Sequence, residues 1–178
     1  MQLVFLVRHG APDRSFSGRY DIYPGPCLSP EGQAQAARTA QFLAEQGVGR
    51  LFHSPLVRTL ETAAIIANEV GKPSQQVEAI REKAREEAAA DVQERVTDFW
   101  HKHVADEDET IALVSHGAPI DQLLRYLSAD TLDLSQHRYQ GGAGTPHAGI
   151  WQAVRHNGDD VWDLSLVFNP DGEGAGNN

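Results

Sequence analysis

Two uninterrupted apolar runs of the chain end in closely similar sequences. Leu3 to Val7 leads into Arg8-His9-Gly10, and Ile111 to Val114 leads into Ser115-His116-Gly117. Continuous rather than alternating apolar residues are typical of strands that are buried on both faces, as in a parallel sheet. The pattern therefore predicts two central strands of one sheet, each followed by a histidine and a glycine.

Helical patterns begin at two places that share a start signal. Ser29-Pro30 offers an N-cap and a first-turn proline, and the helix that it opens is predicted to end at Gly47. Ser54-Pro55 repeats this signal, and the second helix is predicted to end at Gly71, a residue type that favours helix C-termini. Its spacing predicts a buried face made of Leu56, Leu60, Ala63, Ala67 and Val70.

The rest of the chain continues to alternate between helices and strands. Apolar stripes predict two more helices, at Val92, Val96, Phe99 and Trp100 and at Ile120, Leu123, Leu124 and Leu127. Further strands are predicted at Leu51–Phe52, Val77–Ile80, Gly149–Val154 and Val161–Phe168, the last two joined by a hairpin turn at Asn157-Gly158.

This alternation predicts a single α/β domain over residues 1–170. We expect a three-layer α/β/α sandwich, whose mostly parallel central sheet carries an antiparallel edge from the last hairpin. Trp151 and Trp162 on that hairpin could lie in the core or at an edge contact. Residues 11–28 are predicted to form a long functional loop, and residues 171–178 a disordered tail.

Composition and charge limit the class of partner. The chain has 15 Lys and Arg against 25 Asp and Glu, a formal net charge of −10. This charge repels nucleic acids and anionic membranes, so neither is an expected partner, and any anion must bind in a local pocket of arginines. Cys27 is the only cysteine, which excludes an intramolecular disulfide and a thiolate metal site. Without an apolar stretch of membrane-spanning length or a signal-type start, a cytoplasmic location is expected.

The two histidine-glycine sequences point to one site. Leu6 to Pro12 reads LVRHGAP, and Leu113 to Pro119 reads LVSHGAP. Ligands of open α/β sheets bind at the carboxyl ends of the strands, so His9 and His116 are expected in one crevice. Arg58 falls in the first turn of a helix, where backbone N–H groups already favour an anion. A strand-end histidine or a solvated arginine without a chemical role is the alternative for each residue taken alone.

Together these segments resemble the histidine phosphatase (phosphoglycerate mutase-like) superfamily. The likeness includes residues 6–10, 54–63 and 114–117, with weaker matches at Gly18-Arg19 and residues 28–36, and it covers roughly residues 1–127. The resemblance implies that His9 is a nucleophile that forms a phosphohistidine. It also implies that Arg8, Arg58 and His116 hold the phosphoryl group, with no metal or other cofactor. His9 must be neutral to attack, so its second ring nitrogen is expected to donate to a backbone carbonyl.

The resemblance also implies a general acid in a Leu-x-Glu context. Ile80-Arg81-Glu82 matches that context best, and Glu86 and Glu87 are rivals on the same charged stretch. Ser15 stands where an asparagine often contacts phosphate. Arg19 and Ala118 complete the expected substrate-binding residues, and Arg14, Tyr20 and Tyr23 either contact the rest of the substrate or serve only as a lid.

The sequence therefore predicts a metal-independent phosphomonoesterase of the histidine acid phosphatase type. Glu82 would serve as acid and then as base. A phosphoglycerate mutase-type transfer and a non-catalytic phosphate-binding regulatory module are the alternatives. The expected partner is a small phosphate ester, with a phosphoprotein left open, and the oligomeric state is not readable. His53, His137, His147 and His156 are assigned surface or core roles, and residues 141–144 a flexible loop.

Overall fold

A computed structural model describes residues 1–156 and 161–172. Within these ranges six strands and four α-helices make up the fold. The strands are β1 (Gln2–Arg8), β2 (Arg50–His53), β3 (Ser74–Gln76), β4 (Ile111–Ser115), β5 (Ile150–Arg155) and β6 (Asp163–Phe168). The helices are α1 (Pro30–Ala44), α2 (Val57–Val70), α3 (Ala89–His103) and α4 (Gly117–Leu127). None of these helices is long and apolar enough to cross a membrane.

The strands form one sheet in the order β3-β2-β4-β1-β5-β6. Pairing is parallel from β3 through β1 and antiparallel for β5 and β6. This arrangement confirms the predicted parallel sheet with an antiparallel edge. The two histidine-bearing strands, β1 and β4, are direct neighbours in the centre, with Leu6 opposite Leu113.

The central strand β1 supplies both faces of the core because its side chains alternate. Val4 and Leu6 belong to one buried cluster with α3 and α4, whereas Phe5 and Val7 belong to the other with α1 and α2. Burial on both faces explains the continuous apolar run. The result is the predicted three-layer arrangement.

The predicted apolar face of α2 is wrong in one respect. Leu60 is 42% exposed, while Arg58, Thr59 and Thr62 are buried. Thr62 Oγ1 accepts a hydrogen bond from the Gly10 N–H, so the inward face of this helix carries polar contacts to the loop after β1. Apolar spacing cannot indicate a face of this kind.

The start of α2 also differs from the prediction. Leu56 rather than Ser54 is the N-cap, and α2 begins at Val57. The Ser54 hydroxyl accepts only a long hydrogen bond from the Leu56 N–H, at 3.5 Å, and contacts His116 Nε2 at 2.7 Å. A side chain that the sequence assigns to helix capping is therefore used in the crevice.

The strand predicted at Val77–Ile80 is wrong. The strand β3 lies earlier, at polar Ser74–Gln76, and Glu78–Ile80 form a 3₁₀ turn. The Val77 N–H donates to the His53 carbonyl, after which the chain turns and buries Ile80 in the core. An edge strand of polar residues gives no hydrophobic signal.

The two tryptophans of the C-terminal part of the domain lie in the core rather than at an edge contact. Trp151 and Trp162 are both buried, with Trp162 packed edge-on against Trp100 at a ring separation of 5.0 Å. The predicted hairpin turn at Asn157-Gly158 lies outside the described residues. Of the predicted tail, Asp171 pairs with Arg38 at 2.9 Å, and residues 173–178 are likewise outside the described part.

The chain leaving β1 is held against the first turn of α1. A methyl group on Gly32 would overlap the Ala11 carbonyl oxygen, and one on Gly10 would overlap the Gly32 carbonyl oxygen. The Ser29 N–H donates to the Ala11 carbonyl at 2.9 Å, which fixes the same approach. Close backbone packing thus sets the direction in which the chain departs from His9.

We therefore expect Gly32→Ala to lower the free energy of unfolding by about 1–3 kcal/mol, because the added methyl meets rigid backbone. Chemical denaturation measures this loss. Gly49→Ala is the matched control, since the nearest atoms to its methyl would be side-chain atoms of Glu109 at 3.2 Å or more, and no backbone overlap results. Equal stability of the two variants would contradict the assigned packing.

Candidate active site

The carboxyl ends of the parallel strands bring the predicted residues into one crevice. His9 follows β1, His116 follows β4, and Arg58 lies in the first turn of α2. The rings of His9 and His116 are 5.2 Å apart, centroid to centroid. The pocket beside them is lined by Arg8, His9, Pro12, Arg14, Tyr20, Arg58, Glu82, Gln140, Gly141 and His147.

His9 is held as a neutral imidazole with a defined tautomer. Its Nδ1 lies 2.7 Å from the Gly10 carbonyl oxygen, which can only accept, so Nδ1 carries the proton. Nε2 is then unprotonated, and its lone pair accepts a hydrogen bond from Arg58 Nε at 3.1 Å. Burial first, and then the charge of Arg58, lower the pKa of His9 well below its usual value. His9 can therefore act as a nucleophile through Nε2.

Arg8 is a buried cation anchored by backbone carbonyls. Its Nη1 donates to Thr145 O at 2.8 Å and its Nη2 to Gln140 O at 2.9 Å. Its Nε is buried and has no hydrogen-bond partner within residues 1–156 and 161–172. Burial lowers the Arg8 pKa to about 10, which leaves the guanidinium charged at neutral pH.

Arg58 is the second buried cation, only 1% exposed. Its Nη1 donates to the Tyr20 carbonyl at 2.8 Å, and its Nη2 lies 3.5 Å from Glu82 Oε2. Its Nε meets the lone pair of His9 Nε2. Because a planar guanidinium can bind phosphate oxygens with two N–H groups at once, both arginines suit a phosphoryl group.

His116 points a second unpartnered donor toward this space. Its Nε2 lies 2.7 Å from Ser54 Oγ, and the serine hydroxyl can donate to that nitrogen. The proton then resides on Nδ1, which is buried and has no hydrogen-bond partner in the described part of the chain. Burial, together with the arginines, lowers the pKa of His116 well below its usual value. A buried N–H of this kind fits an anion in the crevice.

Glu82 is the carboxyl group that faces the histidines. Its Oε1 accepts from the Lys83 N–H, and its Oε2 lies 3.7 Å from His116 Nδ1. The segment is tied to β4 because Ser115 Oγ donates to the Ile80 carbonyl at 2.7 Å. Burial raises the pKa of Glu82 against the opposing effects of the Lys83 N–H and then of Arg58. The carboxyl group is therefore disposed to keep its proton.

The two rival carboxylates are held elsewhere. Glu87 is paired with Arg95 and Arg81, which lower its pKa to about 2. Glu86 is exposed and pairs with Arg19 at 3.2 Å, which lowers its pKa as well. Neither lines the pocket that contains His9.

The predicted substrate-binding residues outside this group lie away from the pocket lining. Ser15 is exposed and its hydroxyl donates to Asp13 at 3.0 Å. Arg19 pairs with Asp21 and Glu86, and Ala118 is half-buried in the first turn of α4. The long loop reaches the pocket through Arg14 and Tyr20, whereas Tyr23 lines a neighbouring cavity.

The sequence interpretation misses Gln140, Gly141 and His147 as pocket residues, since it assigns residues 141–144 a flexible loop and His147 a surface or core role. Of these, His147 has its ring 5.6 Å from the ring of His9. It precedes β5, which runs antiparallel to β1. The start of an antiparallel strand lies at the same edge as the end of its neighbour, so this pairing, had it been known, would have placed His147 beside His9.

The charge of the site favours an anion over a metal cation. Ligand atoms of His9, Glu82 and His116 lie within 4.8 Å of one another, a spacing that could accommodate a metal ion. However, Arg58 already donates to His9 Nε2 and faces Glu82 Oε2. A metal ion bound to His9 and Glu82 would lie close to the buried guanidinium of Arg58, and repulsion between two positive charges at such short range is costly.

A family profile agrees with this geometry. The profile of the histidine phosphatase superfamily (branch 1) matches residues 4–88 and 82–145. The chain belongs to this superfamily.

Known relatives of this histidine phosphatase superfamily member cover different shares of its length. An uncharacterised protein of Mycobacterium tuberculosis is 44% identical over 64 residues, 36% of this chain and 32% of that protein. A probable phosphoglycerate mutase of Serratia proteamaculans is 37% identical over 71 residues, 40% of this chain and 33% of that protein. The matched segment thus spans about a third of the curated relatives.

Solved structures resemble the fold over nearly the whole chain. A mycobacterial glucosyl-3-phosphoglycerate phosphatase has a TM-score of 0.72 at 21% identity, covering 93% of this chain and 98% of that one. The Bacillus stearothermophilus protein YhfR has a TM-score of 0.76 at 19% identity, covering 93% and 96%. An Entamoeba histolytica phosphoserine phosphatase in complex with 3-phosphoglyceric acid has a TM-score of 0.72 at 21% identity, covering 93% and 95%. At these identities the likeness concerns the fold.

Asp121 supports the loop that anchors Arg8. Its Oδ1 on α4 accepts a hydrogen bond from the Gly144 N–H at 3.0 Å, one residue before the carbonyl of Thr145. Burial raises the pKa of Asp121 to about 6 from 3.8. Between these two values the unfolded chain releases the proton first, so stability falls as the pH rises.

We expect Asp121→Asn to be more stable than the wild type at pH 7 by about 1–3 kcal/mol, and to lose this advantage at pH 4. Asparagine keeps an acceptor for Gly144 and cannot ionise. Denaturant unfolding at several pH values tests this, with exposed Asp98→Asn as the control. A pH-independent difference would show that Asp121 titrates normally.

Proposed function

We propose that the protein is a metal-independent phosphomonoesterase, of histidine acid phosphatase type, that works through a phosphohistidine at His9. The observation that carries the proposal is the unprotonated Nε2 of His9 among buried donors. Arg58 Nε donates to that nitrogen, and Arg8 Nε and His116 Nδ1 are buried donors without a partner among the described residues. Phosphoryl transfer needs positioning and charge neutralisation above all, and these three residues can supply both.

In the first step His9 Nε2 attacks phosphorus, and the bond from phosphorus to the ester oxygen breaks. The Arg58 Nε–H, which meets the lone pair in the free protein, turns to a phosphoryl oxygen. The departing ester oxygen takes the proton of the Glu82 carboxyl group. The raised pKa of Glu82 supports this role, because the carboxyl group must be protonated at the start.

In the second step water attacks the phosphorus of the phosphohistidine. Glu82, now a carboxylate, removes a proton from that water, and the bond between nitrogen and phosphorus breaks. Inorganic phosphate leaves, and both His9 and Glu82 return to their starting states. Exposed Arg14 and Tyr20 at the pocket give water access, which favours hydrolysis over return of the phosphoryl group to an alcohol.

The proposed substrate is a small phosphate ester. Two of the solved structures that share this fold are named as phosphatases of glucosyl-3-phosphoglycerate and phosphoserine, the second in complex with 3-phosphoglyceric acid. The net charge of −10 also disfavours large polyanions. The match to a probable phosphoglycerate mutase makes phosphoryl transfer between alcohols the second candidate.

A chemical trap of the intermediate tests the proposal. We expect hydrolysis of p-nitrophenyl phosphate to survive EDTA and to fall by at least about 10³-fold in His9→Ala, which lacks the nucleophile. Acid-labile label from a ³²P-substrate should appear on His9 of the wild type.

His137→Ala is the control, since His137 packs on Trp151 outside the pocket. Label that decays to inorganic phosphate supports the phosphatase, and label that decays to a phosphate ester supports the mutase. Activity that EDTA abolishes, or that His9→Ala retains, would refute the phosphohistidine mechanism.

The pH profile tests the proton donor. Because the acid form of Glu82 is the reactive one, kcat/KM should decline as the pH rises through its raised pKa. Glu82→Gln should remove this decline and lower kcat for alkyl phosphates by about 10²–10⁴-fold. The loss should be smaller for p-nitrophenyl phosphate, whose leaving group needs no proton.

Glu86→Gln is the matched control, because Glu86 is exposed on the same segment. If it carried the loss and Glu82→Gln did not, the proton donor would be Glu86.

A further inference from the structure

His147 is a buried histidine that the proposed reaction does not yet use. Its side chain lines the pocket, and the residue is only 6% exposed. Within residues 1–156 and 161–172 its backbone N–H is bonded to Gln140, and no hydrogen bond is made to its ring. The ring nitrogens are not among the fully buried polar atoms without a partner, so they open onto the pocket. An imidazole with unpaired nitrogens in the pocket, 5.6 Å from the ring of His9, is available to a ligand.

The backbone beside His147 is held in a costly conformation. Ala148 is fully buried and has a φ of +52°, in the left-handed region that non-glycine residues avoid. Its N–H donates to the His9 carbonyl at 3.0 Å, and its carbonyl accepts from Thr39 Oγ1 at 2.6 Å. Such strain persists only where the surroundings enforce it, and it clusters at functional sites. The same contacts couple the position of His147 to that of His9.

The charges around His147 determine what it can bind. Burial first, and then Arg8, Arg14 and Arg58, lower its pKa to about 3. At neutral pH the ring is therefore uncharged, with one N–H donor and one acceptor nitrogen. The ring of His147 lies near three arginines, whose positive charge attracts anions into the pocket. Its N–H donor is therefore suited to an anionic oxygen.

We propose that His147 is a fourth ligand of the phosphoryl group, whose ring N–H donates a hydrogen bond to a non-bridging phosphate oxygen. This inference rests on the proposed function, since it names a further contact at that site. The separation of the two rings is one that an oxygen on phosphorus bound to His9 can bridge. His147 would hold this oxygen in the ester complex and in the phosphohistidine alike.

The test compares two variants of His147, one that keeps a hydrogen-bond donor and one that keeps only the planar ring. His147→Phe keeps a planar ring without a donor, and His147→Gln keeps a donor. Binding of inorganic phosphate and of orthovanadate is measured by calorimetry, alongside kcat and KM for p-nitrophenyl phosphate. We expect His147→Phe to weaken both anions about 10- to 100-fold, as loss of a hydrogen bond to a charged group does. His147→Gln should restore most of this affinity.

His137→Phe is the matched control, because it makes the same exchange in the same loop region outside the pocket. Its anion affinity should equal that of the wild type. If His147→Phe does not fold, the intact protein still decides the question by NMR, because the ring N–H signal of His147 should shift on addition of phosphate. A signal that does not move overturns the proposal.

The outcomes separate this inference from the proposed function. Wild-type anion affinity in a folded His147→Phe variant that is still phosphorylated at His9 refutes the role of His147 alone. Weaker binding of esters but not of phosphate refutes it too, because the contact would then be to the leaving group. Phosphate binding that depends on His147 in a protein without turnover refutes the phosphatase while leaving the ligand in place.

Discussion

Two buried guanidinium groups beside an uncharged imidazole impose the main constraint on this molecule. Arg8 and Arg58 are 7% and 1% exposed, and a buried cation is costly unless its N–H groups are satisfied. The chain meets this cost with backbone carbonyls from two separate loops, those of Gln140 and Thr145 for Arg8 and that of Tyr20 for Arg58. These loops contain no regular strand or α-helix at the contact points. Their conformations therefore depend on the arginines as much as the arginines depend on them.

The same constraint explains which parts of the fold could be predicted from the sequence. The central strands β1 and β4 have strong apolar signals because they are buried on both faces. The inward face of α2 and the polar edge strand β3 were misassigned because the signal there is not hydrophobic. On α2 the buried residues Arg58 and Thr62 make polar contacts with His9 and Gly10, and these contacts replace the apolar stripe. Rules based on hydrophobic spacing do not detect a buried face made of polar contacts.

For the candidate site, the sequence predicts which residues lie together only where a motif falls at the end of a central strand or at the start of a helix. His9, His116 and Arg58 follow strands or open a helix at the sheet edge, so the spacing alone brings them together. The proposal of Glu82 rather than Glu87 as proton donor rests on the arginine pairs of Glu87, which involve residues on α3 and the preceding loop. His147 needed the antiparallel pairing of β5 with β1, a long-range contact that no local pattern encodes.

The balance of charge in the pocket links substrate binding to proton supply in the proposed reaction. In the free protein, burial raises the pKa of Glu82, and the hydrogen bond from the Lys83 N–H and then the charges of Arg58 and Arg8 oppose that rise. A phosphate ester between the two arginines neutralises their charge, so their opposing effect on the carboxyl group weakens and its pKa rises further. Binding of the correct anion would thus protonate the acid that the departing oxygen needs. After that oxygen has taken the proton, the Glu82 carboxylate keeps the hydrogen bond from the Lys83 N–H, and it is the form required to activate water.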